Sequence, residues 1–244
     1  MRIAVISDIH GNRTAFEAVL ADLREISPDK VLFGGDLADM GPSPAEIVDR
    51  IRDLGWLGVA GNGEEALVRP ETLDDFANRS SAPQSMWNAV RECMSASREL
   101  LGRGRLDWLL SLPRVHFDDE IALVHASPDD PWRAPPPEAS DAHFESLFGH
   151  LGAPVVIYGH IHRPFIREIA GRERTDFTVA NSGSVGLSYD GDPRAAYVVI
   201  EDDKPTIRRV QYDLAKEIRH LCSSGFPHSD WLARTLQSAS PQMP

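Results

Sequence analysis

The feature that most constrains this chain is the alternation of β-rich runs with helical repeats over its first 60 residues. Residues 2–7 form a short β-rich run that ends in polar residues. Over residues 14–26, Phe16, Val19, Leu20, Leu23 and Ile26 fall at helical spacing, and Ser27-Pro28-Asp29 then breaks the pattern. Residues 30–33 read as a second strand, residues 44–54 as a helix with Ile47, Val48 and Ile51 on one face, and residues 56–60 as a third strand. Strand and helix in strict alternation predict β-α-β units around a parallel sheet.

The middle of the chain, about 64–112, reads as a helical insert, clearest at 85–101 and 105–112. A strand is expected at 121–125, followed by a surface loop at 128–137 that holds five prolines and Trp132. Strand runs then recur at 155–158, 165–169, 177–180, 196–200 and 206–210. Their close spacing favours antiparallel pairing in a second sheet. A closing helix is expected at 213–221, and a loosely ordered Ser- and Pro-rich tail from Ser223.

Chemistry gathers at the strand ends. The first strand runs into Asp8-Ile9-His10-Gly11-Asn12, the second into Gly34-Gly35-Asp36, and the third into Gly61-Asn62-Gly63-Glu64. Ligands of open α/β sheets collect at the carboxyl ends of strands, so Asp8, His10, Asp36 and Asn62 are delivered to one edge. Each piece alone is an ordinary turn; three at consecutive strand ends are not. His125 ends a later strand, and Tyr158-Gly159-His160-Ile161-His162 ends another. Residues two apart in an extended segment face the same side, so His160 and His162 can reach one site. Imidazole and carboxylate without cysteine suit Mn, Fe, Zn, Ni or Co rather than calcium. Seven donors exceed the needs of one ion and suit two.

These blocks, in this order, resemble the calcineurin-like metallophosphoesterase superfamily, whose pattern is D-x-H, G-D, G-N-H-D/E, a lone H, and G-H-x-H. Asp8-Ile9-His10, Gly35-Asp36, Gly61-Asn62, His125 and Gly159-His160-Ile161-His162 carry the match. Ser7 to Asn12, Gly41-Pro42 and Asn181 to Gly186 look like a branch of small, single-domain bacterial and archaeal phosphodiesterase-like members. The resemblance implies a four-layer αββα sandwich of two mixed sheets flanked by helices, an α/β (α+β) class. It places the domain at 1–212, with residues 213–244 as a C-terminal helix and tail. It implies two divalent ions, with manganese favoured: one on Asp8, His10 and His162, the other on Asn62, His125 and His160, with Asp36 bridging. Asp36 and Asn62 thereby count as catalytic as well as metal-binding. The implied reaction is phosphoester hydrolysis by a metal-bridged hydroxide. Asn12 is either a phosphate-contacting amide or the N-cap of the helix that follows.

One departure matters. The third block has Gly63 where the family pattern usually has His. That His is expected to protonate the leaving group, an effect typically worth roughly 10²- to 10⁴-fold. Its loss should hurt poor leaving groups most, which favours diesters or nucleotide-like substrates. Glu64 is either a substitute acid or, more in keeping with its place, a solvated helix-start carboxylate. A protein phosphatase is disfavoured, because Met40 stands where those enzymes carry Arg in G-D-x-x-D-R-G. A non-catalytic interaction module on the same fold is the other alternative, and a redox metal enzyme a more distant one.

The net charge of −12 argues against stable nucleic-acid binding and leaves a small phosphoester as the expected partner. Cys93 and Cys222 are read as free thiols. No run approaches the ~20 apolar residues of a membrane span. With the apolar start cut short at Ser7-Asp8, a cytoplasmic protein is expected.

Overall fold

The computed structural model describes residues 1–171 and 176–244. Ten strands form two mixed five-stranded sheets among these residues. In the first sheet the order is β10 (Lys204–Val210), β9 (Ala195–Glu201), β1 (Arg2–Ile6), β2 (Lys30–Phe33) and β3 (Leu57–Gly58). In the second it is β4 (Val115–Asp118), β5 (Ile121–Val124), β6 (Val155–Tyr158), β8 (Phe177–Asn181) and β7 (Phe165–Ile169).

The predicted β-α-β start is present. β1 and β2 pair in parallel across α1 (Arg13–Ile26), and β2 pairs in parallel with β3 across α2 (Pro44–Leu54). The later strands meet expectation in part. β7 pairs antiparallel with β8 and β9 with β10, but β6 lies parallel to both β5 and β8, and β9 and β10 join the first sheet through β1. Close spacing predicted hairpins, but apolar runs such as Val155–Tyr158, buried on both faces, favour parallel central positions.

Alternation along β1 builds the layers. Ile3 and Val5 point into an apolar seam with Leu123, Ile157 and Val198, which joins the two sheets face to face. Ala4 and Ile6 point the other way, onto α1, α2 and α5 (Gln84–Leu110), against Phe16, Val19 and Ile47. On the far side of the second sheet, Val124, Val156 and Tyr158 pack against Phe144 and Phe148 of α6 (Asp141–Phe148). The result is a four-layer αββα sandwich.

Three short helices of the insert and C-terminal region complete the picture: α3 (Asn62–Val68), α4 (Glu71–Ala77) and α7 (Leu214–Ser223). The two helices expected within the insert run together as α5, interrupted at Gly102, whose φ of 66° and ψ of 169° are not helical. The tail is a correction. Residues expected to be loosely ordered form α8 (Ser229–Ser238), which buries Trp231, Leu232 and Leu236 against Cys93, Leu187 and Phe226. Its apolar stripe was masked by Ser and Pro flanks and becomes stable only with α5 to cover it. Cys93 and Cys222 are both free.

Candidate metal centre

The strand ends converge as expected. Asp8, His10 and His162 bring ligand atoms within 4.8 Å of one another, and so do Asp36, His125 and His160. Asp36 Oδ2 lies 4.0 Å from His10 Nε2 and 3.4 Å from His125 Nε2, so it sits between the two groups. Asn62 opens α3 and turns its Oδ1 to His160 Nδ1 at 2.8 Å and His125 Nε2 at 3.0 Å.

The backbone aims these side chains at a cost. Asp8, His10, Asp36, His160 and His162 all have φ between 49° and 67°, the left-handed region. Each such residue carries roughly 1–2 kcal/mol of strain, so five together must be held by their surroundings. The holding contacts are present. Asp8 N donates to Gly35 O and His10 N to Asp36 O, locking the first loop onto the second. The segment after β8 closes from above: Ser184 Oγ and Gly186 N both donate to Asp8 O, and Asn181 Nδ2 donates to Gly159 O.

Histidine tautomers follow from their second contacts. His125 Nδ1 lies 2.7 Å from Gly34 O and His162 Nδ1 lies 2.5 Å from Leu187 O. A carbonyl can only accept, so both Nδ1 atoms carry protons and both Nε2 lone pairs face inward. There His162 Nε2 meets His10 Nε2 at 3.0 Å and Asp8 Oδ1 at 3.1 Å, and His125 Nε2 meets Asn62 Oδ1 at 3.0 Å. Acceptors facing acceptors require a cation between them. Without metal, protons take that part. Burial alone would lower His10 and His125, but the carboxylates of Asp39 and Asp36 outweigh it, raising them to about 9 and about 10. Burial and the His125 charge instead push His160 down to about 4. Buried Asp36 is held below the usual carboxylate range, the cost of burial being overcome by the neighbouring His125 charge. The donor set thus fits divalent metal.

Asn12 takes the capping role considered for it, and Glu64 departs from the solvated one. Asn12 caps α1, its Oδ1 accepting from Ala15 N at 2.9 Å, while its Nδ2 donates to Gly186 O at 2.9 Å and Tyr212 OH at 3.5 Å. Its amide is committed to holding loops together. Glu64 is not solvated: it is 1% exposed, and its carboxylate accepts from the backbone N–H groups of Asp36, Leu37 and Gly61. It clamps the second strand-end loop to the third. Burial, with the charges of Asp36 and Asp39, raises its pKa to about 7.

Sequence reasoning missed Asp39 and Tyr189. Asp39 is buried, and its Oδ1 lies 3.1 Å from His10 Nδ1. It also stands where a side chain at position 63 would go, since a Cβ on Gly63 would come within 2.6 Å of Asp39 Oδ1. Its spacing from Asp36, in a loop without helical pattern, was the available signal. Tyr189 stacks on His162 with ring centroids 4.4 Å apart, and no sequence pattern marks it.

Residues 1–164 match the model of the calcineurin-like phosphoesterase family. The chain belongs to that family. It is a phosphoric ester hydrolase of a divalent-metal-dependent family, with candidate ligand residues gathered at the strand ends. An uncharacterised protein of Methanocaldococcus jannaschii is 31% identical over 96% of both chains. A symmetrical bis(5'-nucleosyl)-tetraphosphatase of Aromatoleum aromaticum is 25% identical over 71% of this chain and 63% of its own length. A metallophosphoesterase crystal structure from Sphaerobacter thermophilus superposes with a TM-score of 0.79 at 27% identity, covering 98% of this chain and 99% of the other. Among the described residues no helix is long and apolar enough to cross a membrane.

Proposed function

We propose that the chain hydrolyses phosphodiesters or nucleotide-like phosphoesters with two divalent ions, manganese favoured. Asp8, His10 and His162 would hold one ion, and Asn62, His125 and His160 the other. Asp36 would bridge them. The observation that carries this reading is the position of the Asp36 Oδ2, 4.0 Å from His10 Nε2 and 3.4 Å from His125 Nε2, between two sets of inward-facing lone pairs. When bound, such a pair activates water and neutralises charge on the phosphoryl oxygens.

The chain's own residues set the rest. The Leu187 and Gly34 carbonyls fix which imidazole nitrogens face the substrate side. Gly63 N–H donates to Asp36 Oδ1 at 2.7 Å and fixes the orientation of the carboxylate that would be shared between the ions. Position 63 offers no side chain to protonate a leaving group, and Asp39 fills the space. Glu64 cannot substitute for it, because three backbone donors occupy its carboxylate. Substrates whose leaving group needs little protonation are therefore favoured, as are diesters over alkyl monoesters. The net charge of −12 supports a small phosphoester over a nucleic-acid polyanion.

The test is hydrolysis of bis(p-nitrophenyl) phosphate beside p-nitrophenyl phosphate, in manganese and in EDTA, for wild type and Asp36→Asn. Metal-dependent turnover, faster on the diester and reduced on the order of 10³-fold in the variant, is expected from loss of several kcal/mol of charge stabilisation. Turnover that is unchanged in Asp36→Asn would end the bridging role. No turnover with any metal would leave a non-catalytic module.

A further inference from the structure

Beside the donors lies a cavity of about 290 Å³ whose lining includes His10, Asp36, His160 and His162. We infer that it seats the esterified group of the substrate, and that this group is an uncharged, flat aromatic ring. The inference rests on the phosphoesterase reading above and names the substrate class for that site.

Two observations carry it. The first is the wall. Phe76 of α4, Trp87 of α5, Trp132 of the proline loop, Tyr189 and Trp231 of α8 all line the cavity. They are ordered as ring pairs. Phe76 stacks on Trp132 at 4.9 Å and meets Trp87 edge-on at 5.7 Å, while Tyr189 stacks on His162. Aromatic walls of this kind favour stacked or edge-on rings.

The second is charge. The lining contains no lysine or arginine, and its carboxylates are Asp36 and Asp39. A phosphate chain extending beyond the scissile group would meet no counter-charge there and two like charges at its edge. The group in the cavity is therefore neutral. A volume of about 290 Å³, at the lower end of the ~300–1,000 Å³ usual for small-molecule sites, holds one ring system rather than two nucleosides.

The ring could be a nucleobase or the aryl group of a phenolic ester; the shared chemistry is the same.

The test uses the metal-loaded full chain and probes that carry no ester, so hydrolysis plays no part. Adenosine, benzamide and cyclohexanecarboxamide are titrated by ligand-observed NMR into wild type, Trp87→Phe and Trp231→Ala, with thermal unfolding as the folding control. Saturable binding of adenosine or benzamide is expected, at least ~10-fold tighter than cyclohexanecarboxamide and about 3- to 10-fold weaker in Trp87→Phe, which replaces the indole of the wall with a smaller ring. Binding of adenosine without benzamide assigns a nucleobase, and the reverse assigns an aryl ester. Equal binding of cyclohexanecarboxamide, no binding of any probe, or no change in Trp87→Phe would overturn the inference. If Trp231→Ala fails to fold, Trp87→Phe still decides. Turnover without probe binding would sink the cavity assignment alone, and probe binding without turnover would sink the hydrolase reading alone.

Discussion

The metal donors and the aromatic wall share one cavity but are held by different physics. Five of the seven proposed donors, Asp8, His10, Asp36, His160 and His162, sit on left-handed backbone at strand ends, and the far nitrogens of His10, His125 and His162 lie 2.5–3.1 Å from carbonyls or a carboxylate. A small change there misdirects a lone pair. The wall is contributed by α4, α5, the proline loop and α8, and its members meet through ring and apolar contacts. Dispersion contacts are individually weak and re-form after modest change. The proposed chemistry thus rests on strained, hydrogen-bonded loops and the proposed discrimination on surfaces that can be repacked.

The sharpest challenge to that contrast is His162→Ala. It removes the donor that faces both His10 and Asp8 and the ring beneath Tyr189. Metal-dependent turnover should fall on the order of 10³-fold, with metal content by elemental analysis reduced. Retained activity would show that the donor floor tolerates loss as the wall does.

Next comes Asp39→Asn, which weakens the partner behind His10 without touching a donor. About 10- to 100-fold weaker metal binding is expected, read by competition with a chelator. An unchanged affinity would remove Asp39 from the set that positions ligands.

On the wall, Met94→Leu keeps volume and apolarity at a cavity-lining position. A cost below about 1.5 kcal/mol is expected, with turnover of the diester nearly unchanged. A loss comparable to that of Asp39→Asn would erase the distinction between the regions.

The smallest effect serves as a reference away from both. Asp22 accepts from Arg208 Nη2 at 2.7 Å and also from Tyr197 OH. The Arg208 guanidinium, with Tyr197, outweighs partial burial and holds the Asp22 pKa below the ordinary 3.8. A lowered carboxylate contributes stability that is complete above the ordinary value and lost as pH falls through the lowered one. Asp22→Asn should therefore cost about 1 kcal/mol near neutral pH, and the gap in unfolding temperature should close in acid. A gap that persists below the carboxylate range would assign the cost to packing instead.

The sequence by itself named the proposed donors and the edge at which they gather. Asp8, His10, Asp36, Asn62, His125, His160 and His162 were legible because each follows a β-run, and strands of a parallel sheet deliver their ends to one edge. The left-handed backbone of Asp8, His10, Asp36, His160 and His162 was not legible, because local propensity disfavours it and only the interlocked loops sustain it. The parallel pairing of β6 with β8 was likewise decided in three dimensions, since spacing along the chain does not record which strands become neighbours. Glu64 illustrates the same limit: its charge pattern suits a solvated helix start, yet three amides from separate loops enclose it. The wall was least legible of all. The insert and proline loop could be read as neighbours of the site, but α8 lies more than 60 residues beyond His162 and carries no motif. An apolar stripe names no partner, and only the folded chain showed that Trp231 comes to rest beside the metal donors.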